Sequence, residues 1–63
     1  MNAAVEGFKT GQRVICLPTF YSGAKAGIIH EVVVPAEGRR FAVVDCGDGH
    51  FCLRYFNQLE RVA

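Results

Sequence analysis

The sequence lacks the long hydrophobic runs of membrane proteins and the strong positive charge of dedicated nucleic-acid binders. The apolar run near its middle, residues 32–36, is too short to cross a bilayer and contains a proline. Lysine and arginine number 7 against 6 aspartates and glutamates, so the formal net charge at neutral pH is only +1. The first residues show no signal-peptide pattern. We therefore expect a cytoplasmic protein without a membrane partner.

The chain also has no tryptophan, only two prolines and only three cysteines. An odd number of cysteines does not fit the disulfide framework of a small secreted protein. We expect Cys16, Cys46 and Cys52 to be reduced thiols that pack as small apolar side chains. At 63 residues the chain makes one small domain, which excludes a TIM barrel, a Rossmann domain and a cleft between domains. Its 51% of hydrophobic residues argues against disorder.

The residues that are present favour β-structure. No useful stretch has helical periodicity, whereas β-branched and aromatic residues form short runs separated by glycine and proline. These runs predict five strands, at residues 13–17, 27–34, 40–46, 51–56 and 59–62. We expect an all-β fold, a small five-stranded SH3-like barrel over residues 11–63. A flexible N-terminal tail over residues 1–10 precedes it and is tied down near Phe8.

The segment between the third and fourth strands predicts a tight hairpin. Asp48-Gly49 is a strong signal for a two-residue turn of type I′. This turn places Cys46 opposite Phe51 and fixes two faces. The face predicted to point to the core holds Ala42, Val44, Cys46, Phe51, Leu53 and Tyr55. The other face holds Phe41, Val43, Asp45, Cys52, Arg54 and Phe56.

The predicted outward face of this hairpin is apolar enough to need cover. Phe41, Val43 and Phe56 form one patch there, and monomers rarely expose large contiguous apolar patches. Asp45 and Arg54 lie diagonally on the same face, where they could pair. We predict a homo-oligomer whose contact includes Phe41, Val43, Arg54 and Phe56.

Several segments resemble the subunit of the plasmid-borne type II dihydrofolate reductases. The matching segments are Gly11-Gln12-Arg13-Val14, Ile28, Phe41-Ala42-Val43 and Leu59-Glu60-Arg61-Val62. The resemblance implies an SH3-like fold and a homotetramer around a central pore. That family lines its pore with a Val-Gln-Ile-Tyr run, but the matching positions here read Phe51-Cys52-Leu53-Arg54, and a lysine of the family falls on Cys16. The family's catalytic residues are therefore not carried over.

A shorter segment places aromatic and basic residues near one another. Residues 23–29 with Glu31-Val32 are similar to the KOW motif of ribosomal and transcription-elongation proteins. Loop aromatics beside cations are typical of single-stranded nucleic-acid recognition. The predicted ligand-binding residues are Phe20, Tyr21, Lys25, Arg39 and Arg40. Alternatively, these aromatics close one end of the barrel and the cations only keep it soluble.

Metal and cofactor chemistry find little support in the sequence. The only metal-like spacing is Cys46-x3-His50-x-Cys52, and the predicted register places its cysteines on opposite faces. We expect no metal, no cofactor and no catalytic residue. The leading hypothesis is a non-catalytic, oligomeric SH3-like binding module that holds a protein or nucleic-acid segment on its loop surface. The alternative is a small-ligand binder, or an enzyme like the type II reductases, that uses a pore made by symmetry.

Overall fold

The computed structural model describes residues 4–47 and 49–62, and it confirms the all-β prediction. The strands are β1 (Arg13–Cys16), β2 (Lys25–Val33), β3 (Phe41–Asp45), β4 (Phe51–Tyr55) and β5 (Leu59–Arg61). A single 3₁₀ turn, Phe56–Gln58, links β4 to β5. Every observed strand end lies within two residues of the predicted one, because glycine and proline mark the breaks. None of the described residues forms a helix long and apolar enough to cross a membrane.

The five strands form one antiparallel sheet in the order β4-β3-β2-β1-β5. The two edge strands, β4 and β5, are joined directly by the 3₁₀ turn. This turn is anchored by Gln58, whose carbonyl oxygen accepts the Leu17 N–H at 2.9 Å and whose side chain accepts the Tyr55 N–H at 3.0 Å. Within residues 4–47 and 49–62 no hydrogen bonds pair β4 with β5, so the pairing makes one sheet rather than a closed ring.

The core is small and lies on one side of the sheet. Its buried members are Phe8, Val14, Cys16, Ile29, Ala42, Val44 and Leu59. They come from four strands and from the segment before β1, and within β1 and β3 they alternate as strand geometry requires. Strand β4 contributes none of them, although its inward side chains are half-buried. The core of this domain is therefore built mainly from β-branched and small side chains.

The N-terminal segment packs on the sheet at Phe8, as predicted. Val5 and Phe8 exchange backbone hydrogen bonds of 2.8 and 2.9 Å across a tight turn. The Phe8 ring lies 4.8 Å from that of Phe56, and the Arg61 guanidinium lies 5.1 Å from the Phe8 ring centre. Residues 1–3 of the predicted tail lie outside the described residues, and the flexibility of the tail stays a prediction.

A glycine in β2 allows the sheet to pack tightly. A Cβ atom on Gly27 would lie 2.5 Å from Cγ1 of Val44 and 2.9 Å from the carbonyl oxygen of Asp45. Real Cβ atoms do not approach backbone atoms so closely, so any side chain at position 27 would push β2 away from β3. The position therefore requires glycine for space rather than for backbone conformation.

The predicted register of the β3–β4 hairpin is wrong by one residue. The observed pairs are Phe41 with Tyr55, Ala42 with Arg54, Val43 with Leu53, Val44 with Cys52, and Asp45 with Phe51. Cys46 donates to the His50 carbonyl at 3.0 Å, so the connection has three residues, 47–49, instead of two. The predicted turn residue Asp48 lies outside the described residues.

The cause of the longer connection is a turn that begins at Asp45. Its side-chain oxygen Oδ1 accepts the Gly47 N–H at 2.9 Å. Gly47 and Gly49 both have positive φ, +92° and +74°, which glycine adopts readily. His50 then donates to the Gly47 carbonyl at 2.9 Å and closes the turn. The extra residue moves β4 by one position against β3.

A slip of one residue exchanges the two faces of a strand. Phe51, Leu53 and Tyr55, which were predicted to fill the core, point away from it and are 54%, 61% and 42% exposed. Arg54 and Phe56, which were predicted to lie outside with Phe41 and Val43, are on the core side instead. Phe56 packs against the buried cluster.

The predicted pairing of Asp45 with Arg54 is also wrong. In the observed register Asp45 is paired with Phe51, three residues before Arg54. Because side chains alternate along a strand, Asp45 and Arg54 lie on opposite faces of the hairpin. Arg54 instead donates from Nη1 to the carbonyl oxygen of Leu53 at 2.9 Å. Its Nε is buried and has no hydrogen-bond partner among the described residues.

Candidate binding surfaces

The loop between β1 and β2, residues 17–24, presents two aromatic rings to solvent. We call it the aromatic loop. Phe20 is 94% exposed and Tyr21 is 92% exposed. Their ring centroids are 5.1 Å apart and the rings meet edge to face. The aromatic loop therefore does not close an end of the sheet, since neither ring packs on it.

Hydrogen bonds around Thr19 give the aromatic loop a defined shape. The Thr19 hydroxyl oxygen accepts the N–H groups of Tyr21 and Ser22 at 3.2 and 3.1 Å. The Thr19 N–H donates to the Ser22 carbonyl at 2.8 Å. Such local side-chain bonds substitute for the missing sheet partners. The two aromatic side chains are thus held on an ordered turn beside Lys25, the first residue of β2.

Arg39 and Arg40 lie just before β3 and have partners of their own. Nη1 of Arg40 donates to Oε2 of Glu6 at 3.0 Å, in an ion pair whose side chains are half-exposed. The Arg39 guanidinium lies 4.3 Å from the centre of the Tyr55 ring. A cleft of about 430 Å³ lies beside them, with Phe56 and Asn57 in its wall.

The structure does not bring the predicted ligand-binding residues together. Lys25 begins β2 next to the aromatic loop, whereas Arg39 and Arg40 follow the turn at the other end of that strand. Nine residues of extended strand cover roughly 27 Å. Lys25 therefore lies at the aromatic-loop end of β2, and the two arginines follow its other end.

A second exposed apolar surface lies on β3 and β4. We call it the outer face, and its members are Phe41, Val43, Asp45, Phe51, Leu53 and Tyr55. They form three directly opposed pairs, which is the arrangement in which cross-strand side chains contact each other best. The central pair, Val43 and Leu53, is entirely aliphatic, and aromatic rings lie towards both ends.

The two ends of the outer face differ in charge. Arg39 covers Tyr55 at one end, and Asp45 lies opposite Phe51 at the other. A bulge in β2 shifts its register between Ile29 and Glu31 and leaves His30 as the extra residue. The His30 ring lies 5.0 Å from that of Phe51, at the same end as Asp45.

The three cysteines converge, contrary to the prediction. Sγ of Cys46 lies 3.2 Å from Sγ of Cys52, because the observed register places both on the core side. Cys16 is buried next to them, and all three are free thiols. The prediction that the register keeps Cys46 and Cys52 apart is therefore wrong. Within the described part of the chain, no group of three His, Cys, Asp or Glu side chains could hold a metal ion.

The surroundings of Cys16 and Cys46 favour the protonated form of these two thiols. Burial raises the pKa of the Cys16 thiol, and the nearby Arg54 guanidinium offsets part of this effect. Burial, together with the hydrogen bond to Cys52, raises the pKa of Cys46 to about 12. Because the thiolate is the nucleophile, a thiol with a raised pKa reacts poorly at neutral pH.

Comparison with known proteins adds no assignment to these surfaces. No protein-family model matches the chain, and no match was found among curated proteins or solved structures. The resemblance to the type II reductases accordingly stays a prediction.

Sequence reasoning missed the outer-face role of Phe51, Leu53 and Tyr55. Their alternation with Cys52 and Arg54 reads as the core-facing side of a strand, since hydrophobic side chains usually point inward. The signal that predicts the observed arrangement is the spacing of Gly47 and Gly49. Glycines on both sides of one residue suit a three-residue hairpin connection as well as a two-residue one.

Proposed function

We propose that this protein is a non-catalytic binding module that holds an extended segment of nucleic acid or protein on its aromatic loop. The observation that carries the proposal is the near-complete exposure of Phe20 and Tyr21 on an ordered turn. Because the core is small, burial of two large aromatic side chains would stabilise it, and their exposure therefore points to a role at the surface. Both rings are free to stack on a ligand.

The chemistry of the aromatic loop suits an extended ligand. Stacking of one nucleic-acid base on an aromatic ring contributes about 1–3 kcal/mol. The same rings could also dock an extended peptide, as aromatic-lined surfaces do for proline-rich segments. Lys25 supplies a cation for a phosphate or a carboxylate. The hydrogen bonds of Thr19 reduce the ordering cost on binding, because the loop is already shaped.

The described residues support a binding role rather than catalysis. The thiols of Cys16 and Cys46 have raised pKa values, which weakens them as nucleophiles. The ion pair between Arg40 and Glu6 is at the surface, away from the thiols in the core. The exposed rings and Lys25 suit the holding of a ligand by stacking and by charge.

A direct test measures binding of fluorescent single-stranded oligonucleotides by anisotropy, at low and at moderate salt. A panel of extended peptides, including proline-rich ones, is measured in parallel. The double variant Phe20→Ser/Tyr21→Ser should weaken binding at least tenfold, in line with the loss of one or two stacked groups. Val34→Ser is the matched control, since Val34 is also exposed but lies at the far end of β2.

The two ligand classes are separated by their response to salt. Nucleic-acid binding through Lys25 weakens as salt rises, because binding releases counterions from the phosphates. Peptide binding through the rings changes little. If the wild type binds neither class at about 100 µM, a concentration suited to weak complexes, the proposal is rejected. Equal binding by the double variant and the wild type rejects it as well.

A further inference from the structure

The outer face leaves one contiguous apolar patch in water, of the size that the largest patch on a monomer typically has. Phe51, Leu53 and Tyr55 are each about half exposed. On the scale of 150–250 Å² for a whole aromatic side chain, these three and their half-buried neighbours Phe41 and Val43 expose roughly 400 Å². Patches of this size on monomers are often functional. The outer face is therefore a surface that needs an occupant.

The area is enough for a weak dimer. Two outer faces in contact would bury roughly 800 Å² of apolar surface, and their polar rims bring the total to the lower end of specific interfaces, about 1,200 Å². Contacts of this size are typically transient. We expect a dissociation constant on the order of 10 µM.

The free edge of β4 is a less suitable contact than its outer face. An open edge offers unpaired backbone groups to a second strand. Here the Leu53 carbonyl accepts from the Arg54 guanidinium, and the Tyr55 N–H donates to the Gln58 side chain. These bonds would have to break before another chain could pair with the edge. Stacking of two outer faces breaks neither of them.

Apart from Glu31, which lies beside Val43 on β2, the charges of the outer face are at its two ends, and these end charges select one orientation. The cation Arg39 lies at the Tyr55 end and the anion Asp45 at the Phe51 end. A two-fold axis parallel to the strands would bring each end against its own copy, and like charges would repel. A two-fold axis across the strands reverses one copy, so that the positive end of each faces the negative end of the other.

We propose that the outer face is the contact between two copies of this chain, stacked with their β3 strands running in opposite directions. Val43 and Leu53 form the centre of the contact. Arg39 of each copy faces Asp45 of the other. This inference keeps the predicted homo-oligomer with Phe41 and Val43 in its contact, but leaves out Arg54 and Phe56, which lie on the core side. It does not depend on what the aromatic loop binds.

The first experiment is sedimentation equilibrium at about 100 µM, roughly tenfold above the expected dissociation constant. The wild type should sediment near twice its chain mass of 6.9 kDa. Leu53→Glu should sediment as a monomer, because a carboxylate would be buried at the centre of the contact without a partner. Phe20→Glu, at the more exposed aromatic loop outside the outer face, should remain a dimer.

Folding of each variant is checked by circular dichroism. Leu53→Ser is a milder second variant in case Leu53→Glu does not fold. A wild type that sediments as a monomer, or a Leu53→Glu variant that folds and remains a dimer, overturns the proposal. Because Phe20→Glu tests the aromatic loop separately, a failure of dimerisation is distinct from a failure of the proposed ligand binding.

The second experiment tests the orientation by exchange of charge. Arg39→Glu makes both ends acidic and Asp45→Lys makes both ends basic, so each variant alone should be monomeric. An equimolar mixture should restore a dimer, since every contact then joins opposite charges. If the β3 strands of the two copies ran in the same direction instead, each mutated residue would face the native one of the other variant, and the mixture would still pair. The double variant Arg39→Glu/Asp45→Lys would then be monomeric, like the two single variants. The proposal requires the double variant to dimerise like the wild type.

The Asp45 side chain also accepts a hydrogen bond from the Gly47 N–H, and Asp45→Lys removes this bond. Asp45→Asn keeps an acceptor oxygen at this position and is the control for the turn. If Asp45→Lys does not fold, Arg39→Glu is compared with Arg39→Glu/Asp45→Asn. The second of these should dimerise more tightly, because the repulsion between two carboxylates is gone. Equal dissociation constants for the two would overturn the orientation.

Discussion

The two faces of the β3–β4 hairpin differ in the size of their side chains rather than in their hydrophobicity. In the two strands the core side carries Ala42, Val44 and Cys52, which are small, and Arg54 is its one long side chain. The outer face carries Phe51 and Tyr55, which are large. The inner space is limited because Phe8 and Phe56 already fill part of it, with rings 4.8 Å apart. In a domain this small, volume therefore decides which apolar side chains are buried.

The comparison shows that a hydrophobic pattern can mark an exposed surface as well as a core. Phe51, Leu53 and Tyr55 satisfy the usual alternation of an inward-facing strand, yet they face solvent. A conflict between local pattern and observed burial is a common feature of functional surfaces. If only the core side is buried, the two faces should contribute very differently to stability.

The largest effect is expected from removing a side chain of the core. Ile29→Ala should lower the free energy of unfolding by about 2–5 kcal/mol, because Ile29 is fully buried and leaves a cavity. Leu53→Ala, its counterpart on the outer face, should change it by less than about 0.5 kcal/mol in dilute solution, where the chain is monomeric. Urea unfolding at low protein concentration measures both. Similar losses for the two variants would contradict the assignment of the faces.

The close approach of β2 to β3 predicts the next largest effect. Gly27→Ala should cost about 2–3 kcal/mol, because the new Cβ meets Val44 and the Asp45 carbonyl. Gly23→Ala is the matched control, since a Cβ there meets no atom within 4 Å. Thermal unfolding of both variants provides the measurement. A Gly27→Ala protein as stable as Gly23→Ala would show that the strands are less tightly packed.

The hairpin connection predicts a smaller loss. Gly49→Val should cost about 1–2 kcal/mol, because a β-branched residue adopts a φ of +74° only with strain. Gly49→Asn should cost less, since asparagine tolerates this region better. Their melting temperatures should rank wild type, Asn and Val in falling order. An unchanged melting temperature for Gly49→Val would mean that the connection has another conformation.

At neutral pH the smallest effect is expected from the Cys46 thiol, because it changes stability only in alkaline solution. The pKa of Cys46 is about 12 in the folded chain, against an ordinary value of 9.0. Between these values the folded state keeps a proton that the unfolded state has lost, so stability is complete below about pH 9 and falls as the pH rises towards 12. The slope from one group is at most about 1.4 kcal/mol per pH unit. Melting curves of wild type and Cys46→Ala should therefore converge or cross above pH 9, and parallel curves would contradict the raised pKa.

The strands could be predicted from the sequence because their signals are local. Runs of β-branched residues between glycine and proline place each strand within two residues. The register could not, because it depends on one additional residue in the connection at Gly47. The convergence of Cys46 and Cys52 followed from that register and was missed with it.

The candidate site was predicted only in part. The exposure of Phe20 and Tyr21 agrees with a role as loop aromatics, since a loop that follows Pro18 leaves the sheet. The grouping with Arg39 and Arg40 failed because nearness in a short sequence does not give nearness in space. A nine-residue strand, Lys25–Val33, separates the two groups.

The contacts of Arg61 have a consequence for how the chain folds. Its guanidinium donates to the Glu6 carbonyl at 3.1 Å, a contact between residues 55 positions apart. The pairing of β1 with β5 likewise joins distant parts of the chain, whereas β2, β3 and β4 form neighbouring hairpins. Because closing a long loop costs more entropy than closing a short one, the central hairpins should form first and the two end segments should dock last. The outer face is then already formed while the rest of the core is still assembling. A second chain could contact it at that stage.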